Sequence, residues 1–126
     1  MRSLVTMLAF LLFTAGWSES LTLEEYLQLK KEDSPTSQQI IHAYIGGLGE
    51  GLSWANTECE TECKKRIYCT PKSVSLSHRS YVEIFNKQLE EGKGKDKNLI
   101  TTELDKPILA AILSKGLKET FPCEKK

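Results

Sequence analysis

The sequence predicts a small all-α domain of four main helices stapled by two disulfides, and three observations carry that expectation. Apolar residues recur at three- and four-residue spacing in separate stretches of the chain. Helix-start and helix-stop residues bracket those stretches, and no run of alternating apolar and polar residues is long enough to require a sheet. Four cysteines, Cys59, Cys63, Cys69 and Cys123, fall downstream of an amino-terminal segment that reads as an export signal.

That segment is residues 1–20. Arg2 supplies a short basic region and Leu4 to Ala15 an apolar one, followed by Ser18-Glu19-Ser20, so cleavage is expected before Leu21, with Gly16 as the alternative boundary. The apolar run is about 12 residues, against the roughly 20 a spanning helix needs. No stable membrane anchor is therefore expected, and residues 21–126 form the single mature domain. Removing Arg2 and Glu19 from 17 basic and 17 acidic residues leaves 16 of each. A neutral balance argues against a nucleic-acid partner held through phosphate contacts.

The first helix is expected from Leu23 to about Lys31, opened by a capping box in which Thr22 and Glu25 satisfy each other's backbone amides. Leu23, Tyr26 and Leu27 form its buried face. Ser34-Pro35 starts a second helix, which should run to about Ala55 with Ile41, Ile45, Leu48, Leu52 and Ala55 inward and Ile40 and Tyr44 widening the stripe. Gly46, Gly47, Gly49 and Gly51 lie inside it, although each glycine costs about 1 kcal/mol relative to alanine. Close approach of a second backbone explains them; a kink at Gly46-Gly47 is the alternative.

Residues 56–73 are polar, hold three cysteines and meet Pro71, so a disulfide-pinned connector is expected there. Ser75 caps the third helix, whose stripe is His78, Tyr81, Val82, Phe85 and Leu89, and Gly92 closes it. Residues 92–98 read as a flexible turn carrying Lys93, Lys95 and Lys97. The fourth helix begins near Asp105, tolerates Pro107 in its first turn, presents Leu109, Ile112, Leu113, Leu117 and Phe121, and stops at Phe121-Pro122-Cys123.

An even cysteine count in an exported domain predicts two disulfides, with three connectivities open. A zinc site from Cys59, Cys63, Cys69 and His78 is the competing reading, but the spacing lacks paired C-x2-C units. No cofactor is expected. Catalysis would need a nucleophile, a base and a group to orient the base, and the chain offers only His42 and His78, neither within a hydrolase or metalloprotease motif. Glu58, Glu60 and Glu62 lie in a polar stretch with nothing apolar to raise a carboxyl pKa, so they read as solvated charge and not as paired acid and base. The chain is therefore not expected to be an enzyme.

Tyr68-Cys69-Thr70-Pro71-Lys72-Ser73-Val74-Ser75, a helix ending Phe85-Asn86-Lys87-Gln88-Leu89, and a terminal Thr120-Phe121-Pro122-Cys123, with Ala43-Tyr44-Ile45-Gly46-Gly47 upstream, form a recognisable set. Together they resemble the Rap/Tai-type immunity proteins of Gram-negative bacteria, over roughly residues 23–123. The chain departs from that pattern in carrying Cys59 and Cys63, in having Ser73 where glycine is usual, and in its glycine-lysine turn. The resemblance implies a periplasmic, homodimer-forming helical protein that blocks a peptidoglycan-cleaving amidase delivered by type VI secretion. It also implies a Cys69–Cys123 bridge, leaving Cys59 with Cys63. Thr57 to Arg66, with Glu58, Glu60 and Glu62, and Lys93 to Lys97 are the candidate partner-binding segments. A periplasmic chaperone that exposes apolar surface in acid is the alternative function.

Overall fold

The computed structural model describes residues 20–95 and 109–124, which fold as four helices with no strand among them. They are α1 (Leu23–Glu32), α2 (Pro35–Cys63), α3 (His78–Lys95) and α4 (Leu109–Thr120). The expected all-α architecture is present. Helix α3 packs against both α2 and α4, α1 closes over α2, and α4 also touches α2.

The helix starts follow the local chemistry. Thr22 and Glu25 form a reciprocal capping box, in which the Thr22 amide donates to Glu25 at 2.7 Å and the Glu25 amide donates to the Thr22 hydroxyl at 3.2 Å. Donation from the Thr22 amide, and from its hydroxyl at 2.9 Å, to the carboxylate holds Glu25 below its ordinary pKa. Ser34 accepts from the Ser37 amide, with Pro35 just inside the helix. The start of α3 is set two residues later than expected: Ser77 and not Ser75 accepts the Ser80 amide, and Ser80 accepts the Ser77 amide in return.

The core joins all four helices: Tyr26 from α1, Ile41 and Ile45 from α2, Tyr81, Val82, Phe85 and Leu89 from α3, and Leu109, Ile112, Leu113 and Leu117 from α4. Tyr26 meets Phe85 edge to face with ring centres 4.8 Å apart. Its hydroxyl donates to Asn86 at 2.8 Å. The stripes expected on α3 and α4 are thus the buried ones, except that His78 stays half exposed and Phe121, one residue past the end of α4, is only partly buried.

Several sequence expectations are corrected. Ala55, expected on the inner stripe of α2, is exposed, and Ile40, expected to widen that stripe, is 43 % exposed. Leu27 is 40 % exposed, because α1 turns only its Tyr26 edge fully inward. Helix α2 does not stop at Ala55 but runs eight residues further to Cys63. No glycine or proline interrupts residues 52–70, and the amides of Lys64 and Lys65 close the helix onto the Cys59 carbonyl. Gly92 does not end α3, which continues to Lys95, and no glycine among the described residues adopts the left-handed conformation that terminates a helix. The expected start of the fourth helix near Asp105 lies outside the described residues.

The glycines of α2 divide by face. A Cβ on Gly46 would lie 2.3 Å from the His78 ring and one on Gly49 2.3 Å from the Tyr81 ring, so these two permit close packing of α3 against α2. Helix α2 is continuous through Gly46-Gly47. Gly47 and Gly51 have nothing within 4 Å of such an atom and face outward.

Candidate functional site

The tie at the base of the helices is built from two sequence signals, Cys69-Thr70-Pro71 and Phe121-Pro122-Cys123. Cys69 and Cys123 are bonded, with Cα atoms 4.9 Å apart, and the Cys69 amide donates to the Phe121 carbonyl at 2.8 Å. The end of α4 is thereby fixed to the segment that leads into α3. Asn56 completes the arrangement from α2: its Oδ1 accepts from the Ile67 and Tyr68 amides and its Nδ2 donates to the Tyr68 carbonyl. Sequence reasoning missed Asn56, whose only signal is a two-ended amide placed 12 residues from a buried backbone.

Cys59 and Cys63 are the second pair of cysteines, and they sit on the last turn of α2 and not in a connector. Their Sγ atoms are 3.7 Å apart and both thiols are free. The hydrogen bond to Cys63 pushes the Cys59 thiol above its ordinary pKa, and the Glu62 and Glu58 charges add to this. A thiol shifted in that direction carries less thiolate at neutral pH, which is the wrong direction for a nucleophile. The bonded Cys69 sulfur is withdrawn from the alternative zinc set of Cys59, Cys63, Cys69 and His78. Among the described residues no three His, Cys, Asp or Glu side chains converge where a metal ion would sit.

The three candidate carboxylates are on helix α2 and not on a loop, so they divide between two sides of it. Glu60 turns to Arg66, 2.7 Å away, and that contact holds the guanidinium above its ordinary pKa. Glu58 and Glu62, one turn apart, share another side of the helix. His78 Nε2 lies 2.9 Å from Glu50 Oε1, and no hydrogen bond joins either histidine to a serine or cysteine among the described residues. The backbones of Lys93 and Lys95 belong to α3; their side chains, and all of Lys97, lie outside the described residues.

Among the described residues, the largest exposed apolar side chain belongs to none of these sets. Trp54 is 71 % exposed on the outer face of α2. It borders an open groove of about 480 Å³ whose lining includes Gly47, Glu50, Gly51, Leu76 and Tyr81. Burial pushes the Tyr81 phenol up, so it is uncharged at neutral pH and serves as wall. The face is legible only once the helical phase is known: Gly47, Gly51 and Trp54 are separated by four and three residues.

The arrangement supplies rigid shape, an exposed indole and acidic groups, with no oriented nucleophile and base among the described residues. Among the described residues no helix is long and apolar enough to cross a membrane. No protein-family model, no curated protein and no solved structure matches this chain.

Proposed function

We propose that the mature chain is a periplasmic immunity protein that neutralises a secreted peptidoglycan-cleaving amidase, delivered by type VI secretion, by covering its substrate cleft. The observation that carries this reading is the Cys69–Cys123 bond. It joins the two segments in which the resemblance to the Rap/Tai-type immunity proteins is most specific, and it makes the helical body rigid enough to act by obstruction. Occlusion needs shape and charge complementarity and no chemistry, which suits a surface of exposed Trp54 and acidic side chains. Export through residues 1–20, self-association as a homodimer, and closure of Cys59 with Cys63 in the oxidising compartment belong to the same reading.

The test uses the chain exported through its own leader, mixed with the amidase encoded beside it, with release of peptides from purified peptidoglycan as the readout. Expected is stoichiometric inhibition, with a Kd of about 10⁻⁸ M or tighter at neutral pH. Unchanged amidase activity at micromolar protein overturns the reading. So does capture of many unrelated proteins in acid alone, which is the behaviour of a chaperone.

A further inference from the structure

We infer that the outer face of α2 is an arginine-accepting surface: the Trp54 indole, flanked by the Glu50 and Glu58 carboxylates, receives a guanidinium projecting from a loop of the protein partner. The inference deepens the proposed function and rests on it for the partner's identity, though not for the chemistry. Glu50 and Glu58 stand four residues either side of Trp54, which places all three along one side of the helix. Between the first carboxylate and the indole, Gly51 leaves the helix surface bare, and Gly47 extends that floor by one turn. A flat group can therefore lie against the indole face without meeting a Cβ.

Charge selects the occupant. Residues 35–63 contain Glu50, Glu58, Glu60 and Glu62 and no lysine or arginine. Glu60 is engaged by Arg66, whereas Glu58 has no ion-pair partner among the described residues, and Glu50 uses Oε1 for His78 and keeps Oε2. The Glu50 side chain is 66 % exposed, so its second oxygen is open to a ligand. An exposed indole between two carboxylates attracts a cation by its π-face and offers acceptors at the edge. A guanidinium satisfies both demands at once, because it is planar and its donors radiate in its plane. A compact ammonium satisfies only the charge, and an apolar side chain would leave the carboxylates desolvated beside it.

The experiment follows the Gly47 and Gly51 amides and the Trp54 indole N–H by NMR during titration with an acetylated, amidated Gly-Arg-Gly peptide. The control peptide carries citrulline, which keeps the shape and removes the charge. A Trp17→Phe background makes Trp54 the only indole whether or not the leader is removed. Expected are saturable shifts confined to these three reporters, with binding at least severalfold weaker for citrulline. The variants Trp54→Ala and Glu58→Gln, both at exposed positions, should each abolish or severalfold weaken the response at Gly47 and Gly51. Equal shifts with citrulline, or an unchanged response in Glu58→Gln, overturn the inference. In a parallel binding assay, W54A and E58Q should weaken the amidase complex about tenfold or more. An inhibitory complex that both variants leave intact sinks this surface and spares the proposed function. A wild-type chain that binds the arginine peptide and fails to inhibit the amidase does the reverse.

Discussion

Lys64 ends α2 at φ 59° and ψ 23°, in the left-handed region that costs a residue with a Cβ about 1 kcal/mol relative to glycine. Its side chain reaches only the Thr61 carbonyl, at an exposed site. Lys64→Gly is therefore expected to raise stability by about 0.5–1 kcal/mol, read as a higher urea midpoint with an unchanged slope. Tyr26 poses the opposite case, a buried group whose protonated form the fold requires. Burial pushes its phenol up to about 12, while the hydrogen bond to Asn86 acts the other way. Because the folded value lies above the unfolded one of about 10, the associated stability is fully present below pH 10 and is lost as pH rises towards 12. Unfolding free energy measured from pH 9 to 12 should fall for the wild type and fall less steeply for Tyr26→Phe. At neutral pH that variant should cost about 1 kcal/mol, since Asn86 Oδ1 keeps its bond from Lys30 at 3.0 Å.

Within α2, adjacent glycines have opposite meanings, and alanine substitution separates them. Gly49→Ala drives a methyl into the root of the Tyr81 ring, which is only 4 % exposed and must shift as a whole, so a loss of about 1–3 kcal/mol is expected. The His78 ring facing Gly46 is half exposed and can swing aside, which makes Gly46→Ala the milder change. Gly51→Ala meets open space and should gain close to 1 kcal/mol from helix propensity. Thermal unfolding of the three variants should rank them in that order. The same phase explains what the sequence made legible in α2 and what it did not. Ser34-Pro35 marked its start, and the glycines were readable as a place of close approach. Its end was not readable, since residues 56–63 are polar at every position that could signal a core. They stay helical because no breaker intervenes and Asn56 anchors the following segment. Trp54 was hidden for a related reason: an aromatic residue reads as core until the buried face is known to be that of Ile41, Ile45 and Gly49. The apolar stripes of α3 and α4 were legible because each meets two neighbours and buries a wide arc.

Across the whole molecule, one covalent bond spans both helices that carry most of the core. The 54-residue separation between Cys69 and Cys123 encloses α3 and α4, so the bond restricts the unfolded chain over nearly half its length. Loop-closure entropy for that separation corresponds to about 4 kcal/mol, against a total of about 5–15 kcal/mol for a small domain. Cys123→Ser should therefore lower the unfolding free energy by about 4 kcal/mol under oxidising conditions. With Cys59 and Cys63 both changed to serine, reductant should bring the otherwise wild-type chain to the same value and leave the Cys123→Ser variant unmoved. The Cys59 and Cys63 thiols, on one exposed turn, enclose too little chain to matter comparably. Changing both to serine should cost no more than about 2 kcal/mol even if they close in the oxidised protein. Near-ultraviolet circular dichroism should locate the damage. In Cys123→Ser the packing of α4 against Ile84 and Gln88 at Gly116 is no longer held from below. The Tyr26–Phe85 contact, anchored within α1 and α3, should outlast it as denaturant is raised. Simultaneous loss of all aromatic signal with helicity in the variant would show instead that the four helices unfold as one unit, and that the bond acts only on the unfolded chain.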